Sequence, residues 1–77
     1  NYKVFNLGQI DQLVDKYAIT EFSTENLYVN GLISQTDPVK ILGSGELKSK
    51  LIFKVNAASE KAKMAIGAAG GTLEIIG

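Results

Sequence analysis

Six of the lysines in this 77-residue chain, Lys40, Lys48, Lys50, Lys54, Lys61 and Lys63, fall between Pro38 and Met64, with Ser59 among them. Together these residue types can do one kind of chemistry. A serine just ahead of a helix stands beside unpaired N–H groups and the positive end of the helix dipole, which favour a phosphate oxygen. Lysines around such a point add charge that releases counterions from a polyanion. Only Glu46 and Glu60 oppose them in this segment, whereas the preceding residues set Lys3 and Lys16 against Asp11, Asp15, Glu21, Glu25 and Asp37. The net charge of zero thus hides an acidic half and a basic half, an asymmetry that can mark one surface for an anionic partner. The plainer reading of the same residues is a capped helix and a solvated lysine face.

Groups for catalysis are scarce. The chain has no His and no Cys, which removes the commonest general base and the commonest thiol nucleophile. Ser44 sits between Gly43 and Gly45, but without the spacing or the base partner of a nucleophile elbow. That turn is also too short for a phosphate-binding loop and has no Gly-Lys-Ser/Thr behind it. Asp11 and Asp15, at i and i+4, could share a metal, although two carboxylates on an exposed helix face are ordinarily just solvated. No catalytic residue, metal site, cofactor or small-molecule substrate is therefore expected. The aromatic residues Tyr2, Phe5, Tyr17, Phe22, Tyr28 and Phe53 mostly fall on apolar stripes, which points to core packing and not to a base-stacking sheet.

The elements that must position these residues follow from periodicity. A short strand runs from Tyr2 to Asn6 and is broken by Gly8. Ile10, Leu13, Val14 and Tyr17 then fall on one helical stripe. Ser23 or Thr24 can cap a second short helix through Glu25, Leu27, Tyr28 and Leu32, with Asn30-Gly31 as its stop. Ser34 to Pro38 is a loop by composition. A strand follows at Val39–Leu42, and Gly43-Ser44-Gly45 turns the chain. Leu51, Phe53 and Val55 alternate with Ile52, Lys54 and Asn56, so Lys54 faces solvent from a strand whose other face is apolar. Ser59 caps a helix striped by Ala62, Ala65, Ile66 and Ala69, which Gly70-Gly71 ends, and Thr72–Ile76 is a last strand. Strand 51–56, helix 59–69 and strand 72–76 make a β-α-β unit with parallel strands. The fold class is α/β, a small sheet with packed helices.

Seventy-seven residues suffice for one domain, which at this size buries only about 60% of its unfolded surface. No apolar run approaches the ~20 residues of a membrane span. No signal peptide is visible, and the lack of Cys fits a reducing compartment. A start at Asn1 instead of Met leads to the expectation that this is a fragment of a longer chain.

From Lys40 to Gly70 the chain reads K-I-L-G-S-G-E-L, a spacer, L-I-F, A-S-E-K-A, Ile66 and Gly70. This run of 31 positions resembles the signature of the L-fifteen family of bacterial large-subunit ribosomal proteins. In that pattern a lysine, two aliphatics and a glycine turn precede an aliphatic–x–aliphatic strand. A Ser or Thr then stands before an alanine-bearing helix that ends in glycine. V-F-N-L-G-Q-I near the N-terminus is similar to the entry of the same domain.

The resemblance implies a C-terminal globular domain of irregular β-β-α turns, normally preceded by a basic arm that threads into ribosomal RNA and is absent here. It implies a structural, non-enzymatic role in the cytoplasmic ribosome, with rRNA and neighbouring ribosomal proteins as partners and no membrane contact. The residues expected on phosphates are Lys40, Lys48, Lys50, Lys54, Ser59, Lys61 and Lys63, gathered on one surface. Two departures stand out. Gly67 lies inside the last helix where the family more often has Glu or Lys, and Arg is wholly missing, leaving lysine point charges instead of bidentate guanidinium forks. A different class of reading is a protein–protein module that pairs through the apolar edge of strand 51–56 or 72–76. An accessory domain of an enzyme would need catalytic residues elsewhere in its parent chain.

Overall fold

A computed structural model describes residues 1–77. Six strands and three helices follow one another along the chain: β1 (Lys3–Asn6), α1 (Leu7–Tyr17), β2 (Glu21–Ser23), α2 (Thr24–Val29), β3 (Val39–Leu42), β4 (Ile52–Val55), β5 (Ala57–Ala58), α3 (Glu60–Ala68) and β6 (Thr72–Ile75). Every pairing is parallel. The class is α/β, but the strands form two sheets, ordered β1-β3-β5 and β2-β4-β6. Odd and even strands thus interleave in sequence and separate in space. No helix is long and apolar enough to cross a membrane.

The two sheets share one core. Thirteen apolar residues are buried, among them Val39 and Ile41 from β3, Phe53 and Val55 from β4, and Ala62 and Ile66 from α3. Phe5 meets Phe22 across the gap between the sheets, and Phe22 meets its register partner Phe53 within one sheet, with ring centroids 5.5 and 5.4 Å apart, within the range where aromatic pairs attract. Asn56 is the crossing point from β4 to β5. Its side-chain Oδ1 accepts from the Val39 N–H at 2.8 Å, and its own N–H donates to the Val39 carbonyl at 3.0 Å.

The β-α-β unit expected at the C-terminus is present, with β4 and β6 adjacent and parallel. It also contains β5, two alanines that pair with Lys40 and Ile41. Neither β5 nor the three-residue β2 is long enough to show a period, so both escape a reading by pattern. Placed in the middle of its sheet, β4 has no free edge, which removes strand 51–56 as an edge for a partner. The outer edge of β6 stays open.

Local signals explain most boundaries. Gly8 does not separate strand from helix. It lies in the first turn of α1, which begins directly at Leu7, and the Gln9 side chain accepts from the Asn6 N–H at 2.8 Å. Ser23 caps α2 and Ser59 caps α3, each hydroxyl accepting from an N–H three residues on at 3.1 Å. At the end of α2, Gly31 takes φ +77° and the Leu32 N–H donates to the Leu27 carbonyl at 2.9 Å. Leu32 therefore folds back on the helix end instead of extending it. Gly70 and Gly71 close α3 in the same way, through a Gly71 N–H bond to the Ile66 carbonyl at 3.0 Å.

Candidate nucleic-acid interface

The β3–β4 connection, residues 43–50, carries two of the expected lysines and is tied down along its length. Near its start the Ser44 carbonyl accepts from the Gly8 N–H at 3.0 Å. Further on, the Asp11 carboxylate grips it with both oxygens, Oδ2 accepting from the Lys48 N–H at 2.9 Å and Oδ1 from the Ser49 N–H at 3.0 Å. Burial alone would raise the Asp11 pKa. Bonds from the Ser49 side chain and both N–H groups, with the Lys48 charge, outweigh burial and hold the carboxyl below its ordinary 3.8. Asp11 is therefore a structural clamp, not the solvated helix carboxylate or half of a metal pair that its spacing from Asp15 allows. Its partners lie 37 and 38 residues away, and no local pattern announces them. Lys48 and Lys50 remain exposed on the fixed loop.

At the other end of this loop the stem of Lys61 lies across Gly43. A β-carbon on Gly43 would fall 2.7 Å from the Lys61 Cβ and Cγ. Ser59, Lys61 and the glycine turn are thus brought together at the start of α3. Lys63 shares that first stretch of helix but forms an ion pair with Glu60 at 3.4 Å.

Lys50 packs its stem beside Gly70, at the C-terminal end of α3, where a cation also complements the helix dipole. The remaining lysines go elsewhere. Lys54 does leave β4 on the face opposite Phe53 and Val55, yet it meets Glu21 at 3.4 Å, and Glu74 is its register partner on β6. Lys40 projects from the outer face of the other sheet, its Nζ 5.7 Å from the centre of the Tyr2 ring. The outer faces of two sheets that share a core point apart, so the six amines do not lie on one face. Lys48 and Lys50 on the β3–β4 loop, and Lys61 with Ser59 beside its start, are the part of the expected set that this loop connects.

The model of one protein family, described as ribosomal proteins 50S-L15, 50S-L18e and 60S-L27A, matches residues 4–74 of the chain. The chain belongs to this family. Among bacterial relatives, the large ribosomal subunit protein uL15 of Methylocella silvestris is 48% identical over 80 residues, covering 99% of this chain and 49% of that protein. The uL15 of Lactobacillus helveticus is 45% identical, covering 97% of this chain and 50% of its own length. That of Bdellovibrio bacteriovorus is 45% identical, covering 99% and 48%. The chain spans about half the length of the relatives it matches. The resemblance drawn from Lys40–Gly70 therefore extends across nearly all of the sequence.

Proposed function

We propose that the chain is a globular domain of a longer, non-enzymatic protein of the large ribosomal subunit, held on rRNA in the bacterial cytoplasm beside other ribosomal proteins. Its contacts are with the phosphate backbone, made by Lys40, Lys48, Lys50, Lys54, Ser59, Lys61 and Lys63. The β3–β4 loop and the start of α3 contribute most, because Lys54 and Lys63 already face carboxylates. The observation that carries this reading is the Asp11 clamp. It fixes the backbone of the loop while leaving the amines on it in solvent, so little ordering cost remains when a phosphate arrives. Contacts of this type position a protein on RNA without reading its sequence.

The test is binding of this chain to fragments of large-subunit rRNA across a salt series. Weak binding that falls steeply with salt is expected. Replacing Lys48, Lys50 and Lys61 with Glu should lower the affinity and flatten the log–log slope by about 0.9 for each duplex phosphate that is no longer neutralised. A salt-insensitive, sub-micromolar complex, or a triple variant that binds as well as the parent, would contradict the proposal.

A further inference from the structure

The outer face of the β1-β3-β5 sheet is only partly covered, exposed along β1 and half-buried at Lys40 and Ala57. Register and alternation place Tyr2, Val4, Lys40 and Ala57 on it, and Tyr2 and Val4 are 50% and 45% exposed. Parallel sheets are ordinarily covered on both faces, so an aromatic ring and a valine left open here call for an occupant. The charge of the face identifies its class. Lys40 is the one charged group among these positions. The acids nearest in sequence are engaged elsewhere, Asp37 accepting from the Ser34 N–H at 2.8 Å and Glu60 paired with Lys63. Tyr2 and Lys40 therefore offer a π surface and a cation within 5.7 Å of each other, which suits a nucleotide more closely than an apolar peptide.

We propose that this face takes an unpaired RNA nucleotide, its base stacked on the Tyr2 ring and its phosphate held by the Lys40 ammonium. Stacking of splayed-out bases on sheet aromatics is how proteins usually engage single-stranded RNA, whereas duplexes are met through their backbone. The inference rests on the RNA-binding role proposed above, in which Lys40 already contacts a phosphate, and adds to it a base-stacking contact on Tyr2. Tyr2 lies outside β1 and half in solvent, so its replacement leaves the core untouched.

The experiment uses this chain, a labelled single-stranded RNA heptamer and an RNA duplex of the same composition. Affinities are read by fluorescence anisotropy and binding surfaces by amide chemical shifts. The single strand should shift amides of residues 2–6, 39–42 and 57. Tyr2→Ala should weaken it on the order of tenfold, Tyr2→Phe should not, and duplex binding should be equal in all three chains. A single strand that binds Tyr2→Ala and the parent equally, or leaves this sheet unshifted while the duplex still binds, overturns the inference and spares the loop-lysine reading. Failure of both RNAs to bind removes both.

Discussion

Gly8 and Gly45 meet backbone to backbone. A β-carbon on Gly45 would sit 2.7 Å from the N and Cα of Gly8, and Gly45 itself holds φ +89°. Nothing but glycine satisfies both conditions at position 45, and the contact seats the lysine-bearing loop on the first turn of α1. Gly45→Ala should therefore destabilise the domain by about 2–3 kcal/mol, combining left-handed strain with a clash against backbone. Gly31 is the control. It has φ +77° but open space around it, so Gly31→Ala should cost only about 1 kcal/mol. Urea unfolding of the two variants measures the difference.

Removing the clamp on the same loop should show a pH signature. Asp11→Ala is expected to cost about 1–2 kcal/mol at neutral pH, because two N–H groups are left without their charged acceptors. Because the Asp11 pKa is lowered in the folded chain, the unfolded chain binds the proton more readily. The contribution of Asp11 is therefore complete above its ordinary 3.8 and is lost as pH falls through the lower folded value. Unfolding curves of parent and variant should converge on acidification, and a gap that stays constant would refute the ionic part of the clamp.

Two residues stand where the other type fits better. Gly67 lies inside α3 without a positive φ, and a β-carbon added there would meet nothing within 4 Å, whereas Ala18 ends α1 at φ 53°. Gly67→Ala should stabilise by about 0.5–1 kcal/mol through helix propensity. Ala18→Gly should gain a similar amount by relieving the left-handed alanine. For a domain of this size 1 kcal/mol corresponds to roughly 4–8 °C in Tm, well within the reach of calorimetry.

Asn56 joins the two sheets through the N–H and carbonyl of Val39, a residue with no solvent exposure. Asn56→Ala leaves the Val39 N–H without its partner, which should cost about 1–3 kcal/mol. Hydrogen exchange should accelerate first at Val39, and Asn56→Asp, which keeps the acceptor, should restore part of the protection.

Much of this architecture is written locally. Helix caps at Ser23 and Ser59, glycine stops at Gly31 and Gly70, and the alternation of Leu51, Phe53 and Val55 depend on neighbours a few residues away. Such signals are legible because capping, left-handed φ and strand period act within one turn or one strand. The β-α-β unit is legible too, since the length of its crossover makes β4 and β6 parallel neighbours. The family resemblance is legible from Lys40 to Gly70, where several such signals keep a fixed spacing, and the family match itself runs over residues 4–74.

Long-range pairing is a different matter. Interleaving of odd and even strands into two sheets, the docking of Asp11 on Lys48 and Ser49, and the Gly8–Gly45 contact all join residues that no periodicity connects. The same holds for the lysines. Their crowding between Pro38 and Met64 is a property of the sequence, but distance along a chain does not set direction in space. By itself the sequence determined the caps, the strand faces and the family. Only the tertiary structure decided which amines share the fixed loop, which face carboxylates, and that Tyr2 stands open beside Lys40, because each depends on which surfaces of two stacked sheets the core leaves outside.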